Sequence, residues 1–326
     1  MTILSQQPTG WHEDPGAVRA FTSQRRHAGM PCEVAYARPD LLGFWKSRVL
    51  SGCRSILLYE AERYLLGEYL PADYQRRGTC VGRGSYRAIQ TTYWHALWER
   101  RTSGRAERIA YEPIYAGGRV NIGRGVIRGD GLVGAWAAQY ADEIGVVARG
   151  VYGGIDLTRD REDLATQWGE PGAGVPQEII QASATHKCDI YQVQTAEQLA
   201  DVTAAGFASA ICSTHRQADQ RDENGECAYA GPTAHCEAIV GVYMRPSWDG
   251  RPETIYQHTG FVDQQSWGNV PSGTDSLRIY GASAKLRQGA YGTSMQSMER
   301  RLPTGETWAF RLRDGFRSGS LSETVK

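Results

Sequence analysis

Apolar positions recur at helical spacing in the first half of the chain and at alternating spacing in the second. From Cys80 onward, Val81, Ala88, Ile89, Tyr93 and Leu97 repeat at three-to-four-residue steps, which predicts a helix that begins at Cys80 and closes with "ERR". In "GLVGAWAAQYADEIG", Leu132, Trp136, Tyr140 and Ile144 form one stripe, and Gly145 ends the helix. A third helix lies in "TAEQLADVTAAG", where Thr195 and Gln198 make a capping-box pattern and Gly206 suits the left-handed position after the last turn. Beyond it, "FASAICS", "CEAIVGVYM", "ETIYQHTGFV", "DSLRIYGAS" and "TWAFRLR" are short alternating or β-branched runs set between Gly, Pro, Asn and Asp, the pattern of strands and turns. Helices first and strands later predict an α+β protein, with the crossing in segment 158–180.

Residues 1–40, rich in Gly, Pro, Gln and Arg, read as an arm, extended or loosely docked, and packed structure is expected from 41 to 326. Within that span, 41–165 reads as the mainly helical part and 166–326 as the mainly β part. The chain has 36 basic and 36 acidic residues, a balance that offers no field for nucleic acid or an anionic membrane as the main partner. No run approaches the roughly 20 apolar residues of a membrane span, and the N-terminus lacks the basic-then-apolar order of a signal peptide. Seven cysteines (32, 53, 80, 188, 212, 227 and 236) stand singly without a CxxC pair, so reduced thiols are expected rather than a zinc knuckle or a disulfide framework. No His, Cys and carboxylate set has ligand spacing, and neither metal nor cofactor is expected.

Two residues carry candidate chemistry. A thiol attacks as its thiolate, and a helix N-terminus lowers its pKa through unpaired N–H groups and the positive end of the dipole. Cys80 has that position, although buried free cysteines are more often packing residues. His235 stands at the entry to the strand in "GPTAHCEAIVGVY", where a rigid strand can aim a side chain into a cleft. An isolated histidine at a strand end commonly has no catalytic duty, and His215 and His258 lack comparable framing.

"YQRRGTC" before a helix, "AHCEAIVGVY" on a strand and "QSWG" after it, in that order, resemble the papain-like cysteine peptidase superfamily. "RGDGLVGAWAAQYADEIGVV" and "HKCDIYQVQTAEQLADVTAAGFASAI" are similar to the intervening segments, so the likeness covers about residues 65 to 315. It implies a two-lobed papain-like fold, a helical lobe and an antiparallel sheet or barrel lobe with a cleft between them. Cys80 would then be the nucleophile, His235 its base, Gln75 an oxyanion donor beside the Cys80 N–H, and Trp267 a shield over the histidine.

The departures are specific. Gln265 stands where the family has asparagine and would have to orient His235, with Asp263 as a fallback. Gln75 is one position nearer Cys80 than is usual, and Gln90, on the helix, is a poor substitute. The family's disulfide positions read Arg77 and Arg128, as expected of a reducing compartment. No long, charged, propeptide-like helix is legible before residue 60.

The implied activity is a thiol peptidase or related amidohydrolase that acts on a peptide or protein through a Cys80 thioester. The alternative is a weak or inactive papain-like domain that serves an assembly such as a phage particle, docking through its N-terminal arm; a transglutaminase- or cell-wall-hydrolase-like enzyme is a third reading. The expected location is the cytoplasm or a virion.

Overall fold

A computed structural model of the protein describes residues 10–27, 41–102, 104–268 and 270–313. The helices are α1 (Pro15–His27), α2 (Phe44–Leu50), α3 (Glu60–Leu66), α4 (Cys80–Trp98), α5 (Glu112–Gly117), α6 (Gly134–Glu143), α7 (Glu162–Trp168), α8 (Gln177–Ser183), α9 (Ala196–Ala204) and α10 (Met295–Arg301). The strands are β1 (Ser55–Leu57), β2 (Val151–Tyr152), β3 (Ile155–Asp156), β4 (Cys188–Gln192), β5 (Ser209–Gln217), β6 (Tyr229–Met244), β7 (Thr259–Gln264), β8 (Ser276–Ile279), β9 (Ala282–Lys285), β10 (Ala290–Ser294) and β11 (Glu306–Leu312).

The main sheet is antiparallel, in the order β10-β7-β6-β5-β11-β4, with β1 added along β6. It is an open sheet and does not close into a barrel. Helix α4 packs across β5, β6 and β11 on one face, while α2, α9 and α10 cover the other, so the sheet has a core on each side. Strand β6 feeds both. Cys236, Ala238 and Val240 join the α4 core, and Ile239 joins the opposite one. An irregularity between Ile239 and Gly241 then turns Val242 to the same side as Ile239, against β7.

The sequence pattern explains the placement of α4. Nearly all of its side chains from Cys80 to His95 are buried, which suits a helix packed on several sides. A Cβ on Gly84 would stand 2.9 Å from the Cys236 sulfur, and one on Gly82 2.8 Å from the Tyr115 Cβ. Glycine at these positions costs helix stability of about 1 kcal/mol each but permits close approach to β6 and α5. Helix α9 starts on the expected capping box: the Thr195 hydroxyl accepts from the Gln198 N–H, and the Gln198 side-chain oxygen accepts from the Thr195 N–H.

Candidate active site

Cys80 occupies the first turn of α4, and the turn before it is tied down from several directions. The Gln75 N–H donates to the Ser266 carbonyl at 3.0 Å, and the Gln75 Oε1 accepts from the Ser266 hydroxyl at 2.5 Å. This pairing fixes which end of the amide carries the N–H2 group. The carboxylate of Glu162 accepts from the N–H groups of Arg76 at 3.1 Å and Arg77 at 3.3 Å and from the Thr79 hydroxyl at 3.0 Å. Asp130 accepts from the Gly78 N–H at 3.3 Å, and its carboxylate lies 4.0 Å from the Arg77 guanidinium. Carboxylates thus brace the turn where the family resemblance implies a disulfide.

His235 lies on β6, buried, with its ring stacked on Trp267 at 3.9 Å between centroids and 19° between planes. Tyr74 pairs with Trp267 through the backbone, so the segments that carry Gln75, Trp267 and His235 meet at one place. The side chain of Gln265 is turned elsewhere: its carbonyl accepts from the Trp267 N–H, and its N–H2 donates to the Val270 carbonyl. The amide reaches its own turn rather than the imidazole, because the backbone of "QSWG" curls back over it. Asp263 faces Arg301 and Thr293, and Gln90 accepts from the Ile109 N–H at 2.8 Å, well along α4.

Beneath His235 lies a buried ionic cluster. Arg301 of α10, fully buried, donates to Glu237, to Asp263 and, through Nε, to the Ser213 hydroxyl at 3.0 Å. The Tyr291 hydroxyl donates to Glu237 at 2.6 Å, and the Thr293 hydroxyl to Asp263 at 2.7 Å. Burial raises the Asp263 carboxyl to about 7, with the Glu237 charge adding to the rise and Arg301 opposing it.

Part of the chain's own N-terminal region lies over the Cys80 turn. Gly10 donates to the Ala234 carbonyl at 3.3 Å, just ahead of His235, while its carbonyl accepts from the Leu132 N–H at 2.7 Å. The His12 N–H returns to the Leu132 carbonyl at 3.0 Å, so Trp11 and Leu132 pair as parallel strands. The Trp11 indole N–H donates to buried Glu306 at 2.9 Å; Glu306 also accepts from the Gly134 N–H at 2.8 Å and the Trp308 indole at 2.9 Å. Gly10 rests so closely on the Cys80 turn that a Cβ there would lie 2.0 Å from the Gly78 carbonyl oxygen. Behind this strap, α1 packs Phe21 against Trp308 at 5.5 Å between centroids. The rest of the expected arm, 1–9 and 28–40, lies outside the described residues.

Burial pushes the Cys80 thiol well above its ordinary range, with the neighbouring Cys236 adding to the rise; the N–H groups of Cys236, Gly10 and Val81 pull the other way. Burial likewise lowers His235 to about 4, with Glu237 partly offsetting it. Both shifts favour the neutral forms, and neither ring nitrogen of His235 is hydrogen-bonded to a described residue.

Sequence reasoning missed the strap, Glu162, Glu306 and the Glu237–Arg301 cluster. A signal for the strap was present: "GWH" places an aromatic beside a glycine in an otherwise polar arm.

No family model matches the chain, and no curated protein does. Among solved structures, it is similar to xylellain, a cysteine protease from Xylella fastidiosa, with 14% identity and a TM-score of 0.53, over 95% of this chain and 99% of that one. Procathepsin B S9 from Trypanosoma congolense matches at 10% identity and a TM-score of 0.45, over 80% of this chain and 78% of that one. The ragweed pollen cysteine protease Amb a 11, in its proform, matches at 11% identity and a TM-score of 0.45, over 93% of this chain and 90% of that one. The xylellain likeness establishes the fold as papain-like.

Proposed function

We propose that the chain is a thiol peptidase, or a related amidohydrolase, whose cleft is closed in this state by its own segment Gly10–His12. The observation that carries this reading is the strap. An extended stretch of polypeptide lies across the Cys80 turn and is hydrogen-bonded to both walls, at Leu132 and at Ala234. A cleft with backbone donors and acceptors on both sides of a helix-start thiol is built to hold an extended peptide.

With the strap displaced, water and substrate dipoles reach Cys80 and His235, and the cost of charging them falls. The thiol proton passes to the imidazole, and the thiolate attacks a substrate carbonyl carbon. The developing oxyanion takes the Cys80 N–H and the N–H2 of Gln75, whose orientation the Ser266 hydroxyl holds. The His235 imidazolium gives its proton to the departing amine and leaves an acyl group on the sulfur. Water, deprotonated by His235, then cleaves the thioester and restores the thiol. The test is capture of that acyl group on Cys80.

A further inference from the structure

The reaction needs an imidazole held in one tautomer, and the residue at the family's asparagine position does not provide this, since the Gln265 amide is committed to Trp267 and Val270. A group on the other side of the ring is better placed. Glu237 follows His235 by two positions on β6, so both side chains leave the same face of the strand, separated by about 6.6 Å along it. No hydrogen bond joins the two side chains directly, since neither ring nitrogen of His235 has a partner among the described residues. Both side chains line a cavity of about 10 Å³, together with Gln265, Trp267 and Tyr291 among others. This is the room that one water molecule needs.

The carboxylate is already rigid. Tyr291 binds one oxygen and Arg301 the other, and each oxygen keeps a further lone pair for a water. Each of the three Arg301 nitrogens donates to one partner, Nε to Ser213, Nη1 to Asp263 and Nη2 to Glu237, which holds the guanidinium in place. The cluster sets two carboxylates against one guanidinium, so it can carry the negative charge that an imidazolium above it requires.

Resting on the thiol-peptidase reading, we infer that Glu237, fixed by Arg301 and Tyr291, is the positioning residue for His235, and that it holds the second ring N–H through a water in this cavity. The other ionisable groups around the ring are Asp263 on β7, Tyr291 on β10 and Arg301 on α10. His215, Arg216 and Asp219 also line the cavity.

The test compares the full chain with Glu237→Gln, by the nitrogen-15 signals of the His235 ring at neutral pH and by the pH dependence of kcat. The wild type should show a single tautomer, and the folded variant a mixture. In the variant kcat should fall about tenfold or more with KM little changed. Its alkaline limb should move about one pH unit lower, because an imidazolium without its carboxylate gives up the proton sooner. A wild-type tautomer in folded Glu237→Gln would overturn the inference. If that variant does not fold, Glu237→Gln with Arg301→Met removes carboxylate and guanidinium together, and the same tautomer reading decides. A tautomer change in a chain without peptidase activity would sink the proposed function and leave this inference standing.

Discussion

Replacing Trp11 with alanine should release the strap without touching Cys80 or His235. Trp11 is only 5% exposed, and its indole N–H is bound to the buried Glu306 carboxylate at 2.9 Å. Trp-to-Ala changes in packed sites cost about 3–5 kcal/mol, and a hydrogen bond to a charged group contributes about 1.5–3 kcal/mol of comparable losses. Glu306 keeps the Gly134 N–H and the Trp308 indole, so the variant does not orphan it. The lost energy belongs to the covered state alone. A shift of about 3 kcal/mol raises the open population by about 100-fold, at 1.4 kcal/mol per factor of ten. The assay is the second-order rate of alkylation by iodoacetamide, with labelled thiols mapped by peptide mass. Cys80 should react about 100-fold faster in Trp11→Ala, while Cys188, buried in the core away from the strap, keeps its wild-type rate. An unchanged Cys80 rate in folded Trp11→Ala would refute the strap as the cover of the site.

Two further outcomes follow from the surroundings of the site. Glu162→Gln weakens a carboxylate that accepts from Arg76, Arg77 and Thr79, so the amides of 76–79 should exchange hydrogen faster, with a local loss of about 1–3 kcal/mol, while the global midpoint moves little; unchanged exchange there would exclude the brace. Asp263 binds its proton more tightly folded, at about 7, than at its ordinary 3.8, so its contribution to stability is full below the ordinary value and is lost as pH rises through 7. His235, lowered from 6.5 to about 4, acts oppositely: its contribution is full above 6.5 and is lost as pH falls toward 4. In a comparison of wild type with Asp263→Asn the histidine contribution cancels. The wild type should therefore gain on the variant as pH drops from 7 toward 4, by at most about 1.4 kcal/mol per pH unit, read from denaturant midpoints. A pH-independent difference would contradict the raised carboxyl.

What was legible in the sequence is what depends on near neighbours. The start of α4 at Cys80, the capping box of α9 and the alternation along β6 are local patterns, and the structure forms each of them. Strand order is not local: β11, the last described strand, inserts between β4 and β5, a placement that no spacing along the chain encodes. The strap was opaque for a similar reason, since Gly10 and Trp11 meet partners at Leu132, Ala234 and Glu306. Glu237, Asp263 and Arg301 are ordinary surface-type residues in sequence and become a buried cluster only when α10 folds across β6 and β7. Gln265 shows the limit of motif reasoning. The resemblance of "QSWG" to the family's motif implies an orienting role for it, but its side chain folds back onto the Trp267 and Val270 backbone.

The most direct measurement is intact-protein mass after rapid acid quench of Trp11→Ala mixed with excess activated peptide ester, followed by mapping of the adduct. A thioester of the acyl half on Cys80, absent in Cys80→Ala and much reduced in His235→Ala, is the expected result. A folded, strap-released protein that carries no acyl group on Cys80, or carries it equally on Cys53, would contradict the account.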